Sequence, residues 1–315
     1  MNDEKLSILY QDHHLLIVNK PANLVIHPTY KHADGTLWNA ILAYANEQGV
    51  DDWRPPELPD EPEWAGAPEH IQAMLREQRS QRMWQEEGLL PRPCLLHRLD
   101  KDTSGVVALA RTERARKHLI RQFNEHTIVK RYLAVVSPGR PEWAEPRARF
   151  RATRKLQPKR AEELRLPVDL YHYQGEELVL NGPLQRDPDD RRRCIVGPDG
   201  QEAETIIRVL QACGDFALIE AQPVTGRTHQ IRAHLAALGY PIVGDATYAR
   251  SDSQSMANKA LQRQFLHAYC LELRRYPDNE WCRFIAPLPD DLMDWLRNYF
   301  PEGLDTVHAA VPVSP

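Results

Sequence analysis

Apolar residues open the chain in short bursts. Leu6–Tyr10 (LSILY), Leu15–Asn19 (LLIVN) and Leu24–His27 (LVIH) are punctuated by Asp12, Pro21 and Pro28. Short apolar runs bounded by turn residues predict strands in a hairpin-like arrangement. At Leu37 the period changes. Leu37, Ile41, Leu42 and Ala45 fall on one face of a helix reaching Glu47. Further on, Val106–Ala110 is an unbroken apolar strand pattern, and Thr112 is placed to cap a helix running to about His126, with Ala115, Leu119 and Phe123 on one face. Ile128–Ser137 alternates and is rich in β-formers. Ala203–Gln211, Phe216–Gln222, Phe265–Leu273 and Trp281–Ala286 read as strands. Thr228–Leu238 reads as a helix with Ile231, Leu235 and Leu238 on one face, Gly239 just past its end and Pro241 as a stop. Strands outnumber helices and do not alternate strictly with them, so the pattern predicts an α+β fold.

Two stretches break the pattern. Residues 49–93 begin rich in Pro and acid, then turn helix-like, with Ile71, Met74 and Leu75 on one side. Residues 138–182 begin rich in Pro and Arg. Both read as surface insertions in a single domain spanning 1–300, and residues 301–315 as a flexible C-terminal tail.

Composition narrows the class. With 315 residues and 42% hydrophobic content the chain is ordinary for a globular protein. No apolar run approaches a membrane span, and the acid-bearing start MNDEKLSILYQDHH lacks the apolar core of a signal peptide. The five cysteines are odd in number and widely spaced, with no CxxC pair. Neither a disulfide framework nor a zinc site is expected, and a reducing cytoplasm is the default. The net charge of −4 argues against a polyanionic partner, but its distribution matters more. Residues 111–160 hold fifteen Lys and Arg against four Asp and Glu, while residues 51–90 hold ten acids against four Arg. The basic stretch is suited either to following a phosphate backbone or to being a solvated face.

The most unusual stretch is CLLHRLDKDTSGVVALA, Cys94–Ala110, where a charged knot precedes an apolar run. Asp100 in it is either a turn residue or a carboxylate nucleophile. His97, Arg98 and Lys101 would hold it ionised, as its ordinary pKa of about 3.9 already does. In TGRTHQIRAHL, Thr225–Leu235, a turn leads into a helix carrying His229 and, three residues on, Arg232. Arg232 is suited to a bidentate contact with a carboxylate, or to a structural ion pair. His229 and His234 are five apart, not the four of a helical zinc site, so no metal is expected there. Tyr132, in KRYLAV, taken alone reads as a core aromatic.

In order along the chain, HRLDKDTSG, KRYLAVV, AET, TGRTHQIRAHL, PIVGDATY and FLHA resemble the RluA-type RNA pseudouridine synthases, and LLIVNKPANLVIHP resembles their opening strands. The resemblance covers most of residues 6–47, 94–137 and 195–290. It implies a mixed, largely antiparallel central sheet flanked by helices and loops. It also implies an isomerase that works without a cofactor, moving the glycosidic bond of a uridine from N1 to C5 in ribosomal or transfer RNA. By resemblance Asp100 is the catalytic carboxylate, attacking C1′ or removing the 2′ proton. Tyr132 stacks on the base and is placed to help remove the C5 proton. Arg232 pairs with Asp100. Arg98 fills the gap left by the flipped nucleotide, where a planar guanidinium recovers part of the stacking lost. His97 orients the loop. RNA contacts are expected from Arg98, His97, Arg227, His229 and Lys130. No S4-type domain is expected, no membrane contact, and a monomer. Asn23 stands where the family usually has glycine.

Two rivals share some of these residues. Asp100-Lys101-Asp102-Thr103 superficially fits a magnesium-dependent aspartyl phosphotransferase. Such a site needs an apolar strand directly before its first Asp, and Arg98 and Lys101 would repel the metal. A catalytically silent RNA-binding protein would not need Asp100, Tyr132 and Arg232 together.

Overall fold

The computed structural model describes residues 6–28, 30, 33–48, 64, 67–137, 171–174, 177–249 and 256–310. The N-terminal strands are β1 (Ile8–Gln11) and β2 (Leu15–Lys20), followed by α1 (Leu37–Glu47), α2 (Glu69–Glu87) and β3 (Leu89–Leu95). Then come β4 (Ser104–Thr112), α3 (Glu113–Asn124), β5 (Val129–Val136), β6 (Tyr171–Gln174), β7 (Glu177–Leu180), β8 (Leu184–Arg186) and β9 (Cys194–Val196). The C-terminal part holds β10 (Thr205–Cys213), β11 (Phe216–Pro223), α4 (Gln230–Leu238), α5 (Met256–Ala260), β12 (Leu266–Arg274), β13 (Trp281–Ile285), α6 (Asp290–Tyr299) and α7 (Pro301–Ala310).

One large sheet runs in the order β1-β2-β4-β12-β5-β11-β10-β7-β6, with β13 on β12 and β3 on β4. Every pairing in it is antiparallel except β12 on β4, where His267 faces Ser104 and Ala268 faces Gly105. The α+β architecture with a mixed, mostly antiparallel sheet is as the sequence predicts. Among the described residues no helix is long and apolar enough to cross a membrane.

The apolar run of β4 has a simple cause. Successive strand residues point to opposite faces. Val107 and Leu109 join Leu16 and Val18 in one core with α1 and α4, while Val106, Ala108 and Ala110 join Leu15 and Ile17 in a second core with α3. A strand buried on both faces has no polar positions to alternate with. Helix α1 begins at Thr36, whose hydroxyl accepts from the Asn39 amide at 3.3 Å while its own amide donates to the Asn39 side chain at 3.1 Å. Thr112 caps α3 as expected, accepting from the Ala115 amide.

Four expectations are corrected. Leu24–His27 is not a strand, because its backbone serves other partners. The Leu24 amide donates to the Lys101 carbonyl, and the Val25 and Ile26 carbonyls accept from Leu37 and Trp38 at the start of α1. Asn23, before it, sits at φ 59°, a left-handed conformation that asparagine tolerates in place of glycine. Strand β3 begins inside the stretch read as the first insertion, since Leu89 pairs with Thr112. The second insertion likewise ends in the sheet, with Leu178–Leu180 pairing on β10; residues 138–170 lie outside the described ones. The segment after Phe300 forms α7 up to Ala310, with Pro301 in its first turn and Val307 buried. Residues 311–315 lie outside the described ones.

Candidate active site

The charged knot is the loop from Leu96 to Thr103, between β3 and β4. Its backbone is pinned at successive carbonyls. Asp100 accepts from the Thr103 amide at 3.1 Å. Lys101 accepts from Lys20 Nζ at 2.9 Å, and Asp102 from Arg263 Nη1 at 3.2 Å. Gln264 holds the Thr103 hydroxyl at 3.1 Å. Burial pushes the Lys20 ammonium down to about 7. Gly105 follows at φ 122°, and a Cβ there would come within 2.6 Å of the Ala268 carbonyl carbon. Only glycine lets β12 approach β4 so closely at the base of the loop.

His97 is anchored rather than free. Its Nε2 accepts from the Ala108 amide at 3.1 Å and its ring stacks on Phe123. Burial, with the nearby Lys130 charge, pushes it down to about 3, so it is neutral. Arg98 is exposed, and its Nη2 donates to the Thr228 hydroxyl across the cleft at 3.1 Å.

The opposite wall is the turn Thr225–His229 and the start of α4. Gln230 organises it. Its Oε1 accepts from the Thr225 hydroxyl and the Arg227 amide, and its Nε2 donates to the Glu204 carbonyl and the Thr205 hydroxyl. The helix starts at Gln230, not at Thr228, because His229 is left-handed at φ 56°. That turn brings His229 Nε2 to 3.8 Å from Asp100 Oδ2. Burial lowers the His229 pKa, and the Asp100 charge opposes the shift. His234 faces away, tied to Thr205 and the Gly182 carbonyl, and is no part of the site.

Arg232 joins the two walls. Its Nη1 donates to Asp100 Oδ2 at 2.9 Å. Its bidentate partner is a second carboxylate, Asp245. Nε and Nη2 meet Asp245 at 2.7 and 2.8 Å, and the guanidinium lies 5.2 Å from the Tyr248 ring centre. Burial opposes the Arg232 charge, but the two carboxylates, Asp245 foremost, outweigh it and hold its pKa above the ordinary value. Asp245 and Tyr248 lie within PIVGDATY, yet no spacing relates Asp245 to an arginine thirteen positions earlier. The pair is visible only in three dimensions.

Tyr132 and Lys130, two apart on β5, both line the cleft. Burial and then the Asp100 charge raise the Tyr132 pKa above its ordinary value. Lys130 Nζ donates to the Thr225 carbonyl at 3.3 Å, and burial pushes it down to about 8. Arg227 Nε donates to the Glu202 carbonyl at 3.0 Å. All eight residues singled out from the sequence line one cleft of about 410 Å³. Among the described residues no cluster of three or more His, Cys, Asp or Glu is arranged to hold a metal ion.

The central sheet carries a cleft that gathers Asp100, its partner Arg232 and Tyr132. The sequence pattern of a family described as RNA pseudouridylate synthase matches residues 14–237, and the chain belongs to that family. An uncharacterized RNA pseudouridine synthase of Chloroflexus aurantiacus is 37% identical over 279 residues, 89% of this chain and 65% of that protein. Ribosomal large subunit pseudouridine synthase D of Nitrosomonas europaea is 32% identical over 295 residues, 93% of this chain and 64% of that protein. The chain thus spans just under two thirds of the length of these curated relatives. The solved human RNA pseudouridylate synthase domain containing 4 superposes with a TM-score of 0.55 at 22% identity, covering 92% of both chains, a likeness of fold.

Proposed function

We propose that this protein converts uridine to pseudouridine in structured RNA by flipping the base into the cleft above Asp100. The observation that carries the reading is the Asp100–Arg232 pair at 2.9 Å, set beside Tyr132 on a loop whose carbonyls are pinned. Asp100 acts on the ribose of the flipped nucleotide, by attack at C1′ or removal of the 2′ proton. Either chemistry needs an aimed carboxylate, and Arg232 aims it. Tyr132 offers its ring to the uracil. Its raised pKa keeps the phenol protonated at neutral pH, so stacking is its first role. Arg98, released from Thr228, occupies the space vacated in the RNA. His97 holds the loop, while Arg227, His229 and Lys130 contact the RNA. No cofactor is needed, because atoms are rearranged within one nucleotide and none is gained or lost.

The relatives named for the large ribosomal subunit make its RNA the first substrate to test, with transfer RNA second. We place the protein in the cytoplasm, as a single catalytic domain acting as a monomer. The test is pseudouridine mapping of total RNA from cells with and without the gene, complemented by wild type or Asp100→Asn. One or a few pseudouridines should vanish and return only with wild type. Restoration by Asp100→Asn would refute the role of that carboxylate.

A further inference from the structure

Asp100, Tyr132, His229 and Arg232 line the cleft together with Lys130 and Arg227. Lys130 reaches the Thr225 carbonyl, and Arg227 is two residues further along the same turn. Positions two apart on a strand face the same way and stand about 7 Å apart. Lys130 and Tyr132 therefore address neighbouring parts of anything that enters.

The charge around this turn is unusual. Among the described residues Asp100 is the sole carboxylate lining the cleft, and Arg232 already meets it. Arg232 is matched in turn by Asp245. Among the described residues, Lys130, Arg227 and Arg98 have no such match. Each is held by a neutral oxygen, from Thr225, Glu202 and Thr228 respectively. Lys130 is the most demanding of the three, because it is largely withdrawn from water and that burial lowers its pKa. An ammonium has three N–H donors, and here one carbonyl takes one of them. Burying an unpaired charge is costly, and such groups are usually paired or serve a ligand. The natural partner is an anion brought by the substrate.

We infer that Lys130 and Arg227 form a subsite for a single phosphodiester, the backbone group next to the nucleotide whose base lies on Tyr132. The inference rests on the RNA reading above and assigns one position within it. A phosphate there would bridge the ammonium and the guanidinium, leaving Asp100 and Arg232 to the ribose. The subsite would register the nucleotide by its backbone, whatever base it carries.

The test is binding of end-labelled heptauridylate to the full chain, titrated from 50 to 400 mM salt, for wild type, Lys130→Gln and Lys130→Arg. Glutamine can keep the hydrogen bond to Thr225 but not the charge. Lys130→Gln should weaken binding at 100 mM salt by about five- to tenfold and reduce the slope of log K against log salt by about 0.7, the value of one phosphate contact on a single strand. Lys130→Arg should recover the slope. Thermal unfolding of each variant within a few degrees of wild type confirms that the fold is intact. Three results overturn the inference. One is Lys130→Gln matching wild type in affinity and slope, which leaves Lys130 as a hook on Thr225. Another is loss of affinity with an unchanged slope, which makes Lys130 a reader of the uracil carbonyls. The last is wild type failing to bind the probe at 50 mM salt. The RNA mapping keeps the two readings apart. Pseudouridine formed by wild type alongside an unchanged slope rejects the subsite alone. A lost slope in a protein that forms no pseudouridine keeps the subsite and rejects the activity.

Discussion

Arg232 and Asp245 meet at two points, 2.7 and 2.8 Å, with both side chains buried. The arginine's remaining nitrogen reaches Asp100. A guanidinium is planar, so fixing one edge fixes the direction of the other. Asp245 also accepts from the Thr247 and Tyr248 amides, which hold the carboxylate itself still.

Asp245→Asn keeps the shape and removes the charge. It should lower the single-turnover rate of pseudouridine formation by about 10–100-fold, the scale of a misaimed catalytic group, with little change in RNA affinity. Stability should fall by about 3 kcal/mol, because a buried cation loses its main partner. An unchanged rate would mean that Arg232 needs no help from Asp245 in aiming Asp100.

Tyr132 lines the same cleft as Asp100. Tyr132→Phe keeps the ring and should bind RNA like wild type. Tyr132→Ala should weaken binding by roughly 1–3 kcal/mol, the worth of one base stacked on an aromatic. Equal losses in both variants would assign the binding to the hydroxyl. Equilibrium binding of a heptauridylate probe separates these outcomes.

Gly105 lies at φ 122° against the Ala268 backbone. Gly105→Ala should destabilise the protein by about 3 kcal/mol or more, since both the backbone conformation and the added methyl oppose it. The cost should appear in the urea midpoint. Retained stability would show that β12 can move away from β4.

Stability should fall on the acid side. His234 donates from Nε2 to the Gly182 carbonyl and accepts at Nδ1 from Thr205, and His267 stands likewise between Ala286 and Ser104. Burial pushes both down to about 4. The unfolded chain, with a histidine pKa of about 6.5, binds more protons than the folded one between those values. Stability therefore drops as pH falls from about 6.5 toward 4, by at most about 3 kcal/mol per histidine once pH is below 4. Urea midpoints measured across that range check this. Midpoints flat from pH 7 to 4 would mean that these histidines are hydrated in the folded state.

Much of the architecture was legible in the chain because it follows from local periodicity. The helix at Leu37–Glu47 and the Thr112 cap are of this kind. So is the doubly buried strand from Ser104, as its apolar run states that both faces are covered. The knot around Asp100 and the TGRTHQIR turn were legible because charged residues so close to apolar runs need a reason.

Tertiary structure decided what periodicity does not encode. Leu24–His27 has a strand's composition, yet its carbonyls are taken by α1. The segment after Phe300 looks like a tail until Val307 is seen buried. His229 could not be read as left-handed from its place in a helical pattern. Above all, the choice of Asp245 over Asp100 as the two-point partner of Arg232 depends on where a separate loop returns to the cleft. A side chain's type sets which contacts it can make. Which of them it makes depends on groups far away in sequence, and only the folded chain brings those together.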